Sequence, residues 1–229
     1  MLRNNSWEPG EAIPLLERFV AADPEDRWSR LALAENDLRI GRLHEAESVV
    51  AGLPQQDHAA LVIRLRAALD AQDEERAQRL LALGRSDDPD LARFRGRLAL
   101  WRRDAPAALR EFRVAYAADP ENHDTIYGLL NALVMVGDEA AAQPLRQIAG
   151  QVDRLNALVQ RAGTTQGRQD PTLMRRIGAA CAALHRHAEA RAWYKLAIAR
   201  DPLDSEAQQA LFRLDTANRD ELQVPRPGP

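Results

Sequence analysis

Residues 96–120 read GRLALWRRDAPAALREFRVAYAADP, and residues 178–202 read GAACAALHRHAEARAWYKLAIARDP. Laid over one another, they share Gly96 and Gly178, Ala108 and Ala190, Phe112 and Tyr194, Ala115 and Ala197, and Pro120 and Pro202 at identical intervals, 82 residues apart. The second half of the signature returns as Ala12, Leu16, Phe19, Pro24 and as Ala77, Leu81, Gly84, Pro89. A small–large–small–Pro rhythm at a fixed interval is the mark of stacked helical units, each burying its apolar face on the next. Stacks of this kind serve as binding surfaces far more often than as catalysts.

The small residue inside each second helix runs Ala12, Ala46, Ala77, Ala108, Ala142, Ala190, with spacings of 34, 31, 31, 34 and 48. Alanine suits a place where two helices cross closely, because a longer side chain would push them apart. Four residues on, Leu16, Val50, Leu81, Phe112 and Tyr194 lie on the same helical face and fill the groove. Asp-Pro pairs at Asp23, Asp88, Asp119, Asp170 and Asp201 are read as ending one helix and starting the next. Proline fits a first helical turn, and Asp before it caps free N–H groups. Turns are expected at Gly41, Gln72-Asp73, Arg103-Asp104, Gly137-Asp138 and His185-Arg186. No segment alternates with period two for long enough to be a strand, so the fold class is all-α.

At these residues the chain resembles the tetratricopeptide repeat family, over about residues 11–216. The resemblance implies a right-handed α-solenoid of helix–turn–helix repeats. Its units would cover residues 11–24, 27–54, 58–88, 89–120, 123–162 and 171–202, with a capping helix over 205–216. Residues 1–10 are expected to be flexible and residues 217–229, with three prolines, disordered. Ala92 and Met174 stand where the family has an early aromatic, and Arg146 and Arg154 where the Ala142 unit should have a large apolar residue and a proline. The Ala12 unit has only a second helix: either residues 11–22 cap the array, or the array extends upstream of them. The last interval exceeds 34 by 14 residues. The stripe Leu145, Ile148, Val152, Leu155, Val159 runs 3-4-3-4 through that surplus, which predicts a second helix prolonged to about Arg161. The alternative is a break at Gly150 and a separate short helix. The stripe either packs on the last repeat or remains exposed for a partner.

Composition narrows the function. With 31 Lys and Arg against 34 Asp and Glu, the chain has a formal net charge of −3, which argues against general nucleic-acid affinity. Lys195 is the one lysine; the other basic residues are arginines. Cys181 stands alone, so no internal disulfide or Cys-based zinc site is available, and a cytoplasmic, reducing setting is expected. The first residues show no apolar signal region, and no apolar run approaches the ~20 residues of a membrane span. His185 and His187 form an H-x-H in a turn without further converging ligands. Cys181, among small apolar neighbours, reads as a buried structural thiol rather than a nucleophile. No enzymatic activity and no cofactor are expected.

The resemblance places the first helices on the concave face. One column there is Glu35, Arg66, Arg97, Asn131 and Ala179; one turn earlier lie Leu31, Val62, Arg93, Tyr127 and Arg175. Arg66, Arg93, Arg97, Tyr127, Asn131 and Arg175 are therefore the candidate peptide-binding residues. Guanidinium forks and an Asn amide donate paired hydrogen bonds to carboxylate oxygens. Their positions resemble the carboxylate clamp that some members of the family use on acidic tails, with Ala179 departing from it. The competing reading is that each arginine pairs with an acidic neighbour such as Asp70, Asp90 or Asp124. The expected function is a scaffold that binds a peptide or helical segment of a protein partner, acidic in the sharper version. The alternative is a regulatory or substrate-presenting segment of a larger enzyme or membrane-anchored protein.

Overall fold

The computed structural model describes residues 9–223, and twelve α-helices with one 3₁₀ turn make up its regular structure among those residues. In chain order they are α1 (Pro9–Ala22), α2 (Arg27–Arg39), α3 (Leu43–Val50), α4 (His58–Asp70), α5 (Glu74–Leu81) and α6 (Pro89–Trp101). There follow α7 (Ala105–Ala118), α8 (His123–Met135), α9 (Glu139–Gly163), α10 (Pro171–Ala183), α11 (His187–Arg200) and α12 (Ser205–Gln223). The fold is an all-α array of helix–turn–helix repeats. It divides between Leu145 and Arg146 into two compact units. In the first, each helix from α1 to α8 packs on its chain neighbours, and α2, α4, α6 and α8 pack in series. In the second, α10 pairs with α11 and α11 with α12.

All six anchor alanines are buried. Gly96 and Gly178 explain the rest of the signature. A Cβ on Gly96 would come within 2.8 Å of the Phe112 ring, and one on Gly178 within 2.9 Å of the Tyr194 ring. The glycine is where the aromatic lies flat on the facing helix, so the two residue types occur together. The two 31-residue units reach their shorter length through α3 and α5, which have 8 residues each against the 14 of α7 and α11. Leu81 thus falls on the last residue of its helix and is only half-buried. Leu61, Leu65, Leu69 and Leu91 build the local core there instead.

The turns within the repeats are built one way. Gly41, Gln72, Arg103, Gly137 and His185 adopt φ of 80°, 59°, 57°, 76° and 59°. Each donates its N–H to the carbonyl three residues back, and the next residue donates to the carbonyl five back, as in Gln72 to Leu69 (3.1 Å) and Asp73 to Ala68 (2.8 Å). This pair of bonds closes a helix C-terminus through one left-handed residue. The residue after it caps the next helix where it is Asp: Asp73 accepts from the Arg76 amide, Asp104 from Ala107 and Asp138 from Ala141. At Gln72 and Arg103 a side chain bears a left-handed cost that glycine escapes. Gln72→Gly and Arg103→Gly should each raise unfolding stability by up to about 1 kcal/mol, net of the looser unfolded chain. Urea titration checks this; a loss of stability in both would contradict the strain account.

Two expectations need correction. Asp88 and Asp170 do cap helices that begin at their prolines, α6 and α10. Asp23, Asp119 and Asp201 do not. Their carboxylates accept from the amides of Glu25, Glu121 and Leu203, and the following helices are capped by Asp26, Asn122 and Asp204. In Asp-Pro-x-Asp/Asn the second polar residue takes the cap, and the proline sits in the turn before it. At the C-terminal end, α12 runs to Gln223, past residue 216, while residues 224–229, with the rest of the expected disordered tail, lie outside the described residues. Likewise α1 begins at Pro9, and residues 1–8 of the expected flexible start lie outside them.

The surplus before Ala190 is one helix of 25 residues, α9, about 37 Å long at ~1.5 Å per residue. In the second unit Leu155, Leu158 and Ala162 join Leu173, Met174, Ile177, Cys181 and Tyr194 in one core. Of the stripe, Leu155 packs on the last repeat; Val159 stays exposed, and Leu158, outside the stripe, takes the inward place. Gly167 turns the chain back at the end of α9.

Candidate functional site

Four first helices of the first unit, α2, α4, α6 and α8, present equivalent positions side by side. Arg66 of α4, Arg97 of α6 and Asn131 of α8 occupy one register, with Arg93 and Tyr127 one turn earlier. Asn131 is exposed, and Arg66, Arg93, Arg97 and Tyr127 are half-exposed. One turn later in the same register come Asp70, Trp101 and Met135, the last two 38 % and 45 % exposed.

The arginines are paired. Arg66 lies 3.4 Å from Glu35 and 3.9 Å from Asp70, and Arg97 reaches Asp70 at 2.8 Å. An alternating row, Glu35–Arg66–Asp70–Arg97, thus crosses α2, α4 and α6. Arg97 also lies over the Trp101 ring at 5.9 Å. Arg93 pairs with Asp124 of α8 at 3.6 Å and sits 4.7 Å above Phe94. The His123 and Tyr127 rings meet at a tilt of 42°, with centroids 4.7 Å apart. The three arginines of this unit's face are therefore opposed by Glu35, Asp70 and Asp124. The surface is of mixed charge with an apolar edge, not a continuous positive groove. Asp70 and Asp124 are two of the acidic neighbours the sequence suggested; the third, Asp90, sits beside His58 instead.

Arg175 belongs to the second unit. It holds Asp204, the N-cap of α12, at 2.8 Å and Glu206 at 3.2 Å. The Asp204 hydrogen bond raises the Arg175 pKa further above its ordinary range. Burial pushes the Asp204 carboxyl up, but the Ala207 amide and Arg175 together bring it below the usual carboxylate value. Arg175 thus ties α10 to the start of α12.

Two arginines, Arg64 and Arg95, escaped the sequence reading because they serve mainly backbone carbonyls rather than a face. Arg64 donates to the carbonyls of Val50, Leu53 and Pro54, and burial lowers its pKa. Arg95, 31 residues on, donates to Glu111 and to the carbonyls of Ser86 and Asp88. A sequence signal was available: both lie seven residues after a capping Asp, Asp57 and Asp88. His185 and His187 meet edge to face at 5.9 Å and, among the described residues, gather no third ligand-type group. Cys181 is buried in the second unit's core. Among the described residues no helix is long and apolar enough to cross a membrane.

A family model, tetratricopeptide repeat, matches residues 8–69. No curated protein matches the chain. Among solved structures, the Cut9–Hcn1 hetero-tetramer of APC/C matches over 90 % of this chain at 19 % identity and a TM-score of 0.53. The chain spans 39 % of the length of that match. A MamA mutant matches 69 % of this chain and 87 % of its own, at 21 % identity and a TM-score of 0.36. The TPR domain of P58(IPK) matches 94 % of this chain and 85 % of its own, at 15 % identity and a TM-score of 0.32.

Proposed function

We propose that this chain, which matches the tetratricopeptide repeat model over residues 8–69 and shares the fold of a helical-repeat structure beyond them, is a non-catalytic scaffold that binds a segment of a protein partner on the face of α2, α4, α6 and α8. The observation that carries this reading is the juxtaposition at the end of α6 and α8. Exposed Trp101 there lies beneath Arg97, which pairs with the solvent-accessible Asp70, and exposed Met135 holds the same register on α8. Ion pairs at exposed sites contribute about 0–1 kcal/mol each, so a partner's carboxylate can displace Asp70 from Arg97 at small cost. The apolar edge then supplies most of the affinity and the arginines the orientation. In this reading Arg66, Arg93 and Arg97 receive carboxylates, Asn131 donates its amide and Tyr127 covers the segment. Arg175, held by Asp204, would serve acidic partners only by leaving that bond.

Fluorescent peptides test this directly. Asp/Glu-rich peptides with one aromatic residue should bind at micromolar concentration, weaken as salt rises, and lose at least about tenfold in affinity with Arg97→Glu or Trp101→Ala. Lys-rich peptides with the same aromatic should bind more weakly than the acidic ones. Equal binding by both sets, or an unchanged affinity in both variants, would remove the face from consideration. A second reading is a regulatory or substrate-presenting segment of a larger enzyme or membrane-anchored protein. It uses the same face.

A further inference from the structure

A second cluster lies away from the arginine row, at the N-terminal ends of α4 and α6. His58 is the first residue of α4; Asp88 caps α6, and Asp90 stands in its first turn. The His58 Nε2 is 2.9 Å from Asp88 Oδ2 and 3.7 Å from Asp90 Oδ2, and all three ligand atoms lie within 4.8 Å of one another. Asp88 is fixed before any ligand arrives. Its Oδ1 accepts from the amides of Asp90 (2.9 Å) and Leu91 (3.3 Å), which turns Oδ2 toward the imidazole. Asp88 is only partly exposed, while His58 and Asp90 are open to solvent, leaving one side free for water.

The geometry points to a divalent transition-metal site, with His58, Asp88 and Asp90 as its three protein ligands and zinc as the probe ion. In four-coordinate zinc, bonds of ~2.0–2.1 Å set ligand atoms about 3.3 Å apart. The two separations from Nε2, 2.9 and 3.7 Å, lie on either side of that value, so small side-chain rotations suffice. An imidazole nitrogen beside two carboxylates favours zinc, cobalt or nickel over magnesium or calcium, which prefer all-oxygen shells. The site has no counterpart in the previous unit. There Arg27 takes the place of His58 and makes a bidentate pair with Asp57, at 2.7 and 3.0 Å. Arginine ties two units through a carboxylate; histidine at the same place ties them through a carboxylate and an ion. The positive ends of two helices oppose the cation and moderate its affinity.

Calorimetry on the chelator-treated full chain tests the site, with zinc chloride and magnesium chloride titrated separately. One equivalent of zinc should bind, and magnesium should not compete at similar concentration. His58→Gln should weaken zinc binding by at least about tenfold. Asp88→Asn should do the same while keeping the helix cap, because Asn caps as well as Asp. Asp90→Asn, at an exposed position, gives a third variant in case either of the others misfolds. The double variant His185→Ala, His187→Ala should leave the affinity unchanged. The proposal is overturned if the wild-type chain takes up no zinc saturably. It is equally overturned if His58→Gln and Asp90→Asn both retain full affinity, or if magnesium binds as well as zinc. These outcomes are independent of any peptide bound on the face of α2 to α8.

Discussion

Replacing Phe112 by alanine should lower the stability of the first unit by about 3–5 kcal/mol, the usual range for removing a buried aromatic. Phe112 is 2 % exposed on α7 and serves two neighbours at once. Its ring lies against Gly96 of α6 on one side and Gly128 of α8 on the other, so closely that a Cβ at either glycine would collide with it. The collision at Gly128 is the more severe. Gly128→Ala alone should therefore cost about 1–3 kcal/mol by overpacking. The two changes are not additive. In a Phe112→Leu background the added methyl should be much better tolerated, and the double-mutant cycle should show a favourable coupling. Chemical denaturation with urea measures each corner of the cycle. Additive costs would mean that the ring and the glycine do not meet as described.

The second large effect belongs to the second unit. Gly167→Ala should destabilise it by about 2–3 kcal/mol, in the upper part of the overpacking range. A Cβ there would overlap the carbonyl oxygen of Arg161 and press on the backbone at Ala162. No side chain stands between them to rotate away, so the end of α9 must move. That end carries Leu158 and Ala162 into the core with Leu173, Met174 and Ile177. Hydrogen exchange should show faster opening of α10 together with the last turns of α9. Unchanged protection of both would contradict the contact.

Much of the fold is readable in the chain because its determinants are short in range. The anchor alanines, the left-handed turn residues and the aromatic–glycine pairs all act between residues fewer than twenty apart. The caps at Asp26, Asn122 and Asp204 escaped for a local reason. Proline draws the eye as a helix start, yet the residue two places beyond it holds the free amides. The extra length of α9 was legible as a continued 3-4-3-4 stripe, although Val159 faces solvent and Leu158 faces the core. The face of α2 to α8 was legible by position but not by charge. Spacing puts Arg66 and Arg97 side by side; only side-chain geometry shows that Asp70 lies between them. The His58 cluster was out of reach for the same reason, since its members are 30 and 32 residues apart and meet only once α4 lies beside α6.

The serial packing of the first helices bears on how such a chain changes length over generations. Asp57 and Asp88 each cap the helix that follows, and the stretch 58–88 between them contains one whole first helix, one whole second helix and their turns. Excising it in frame would bring Asp57 directly before Pro89, where it stands to α6 as Asp88 does now. Duplicating it would insert another copy of the same joint. In a protein whose core is woven from distant segments, either event would destroy the packing. Here the seams fall where the genetic accident leaves them intact, so the number of units, and with it the length of partner that can be gripped, is open to change in whole steps.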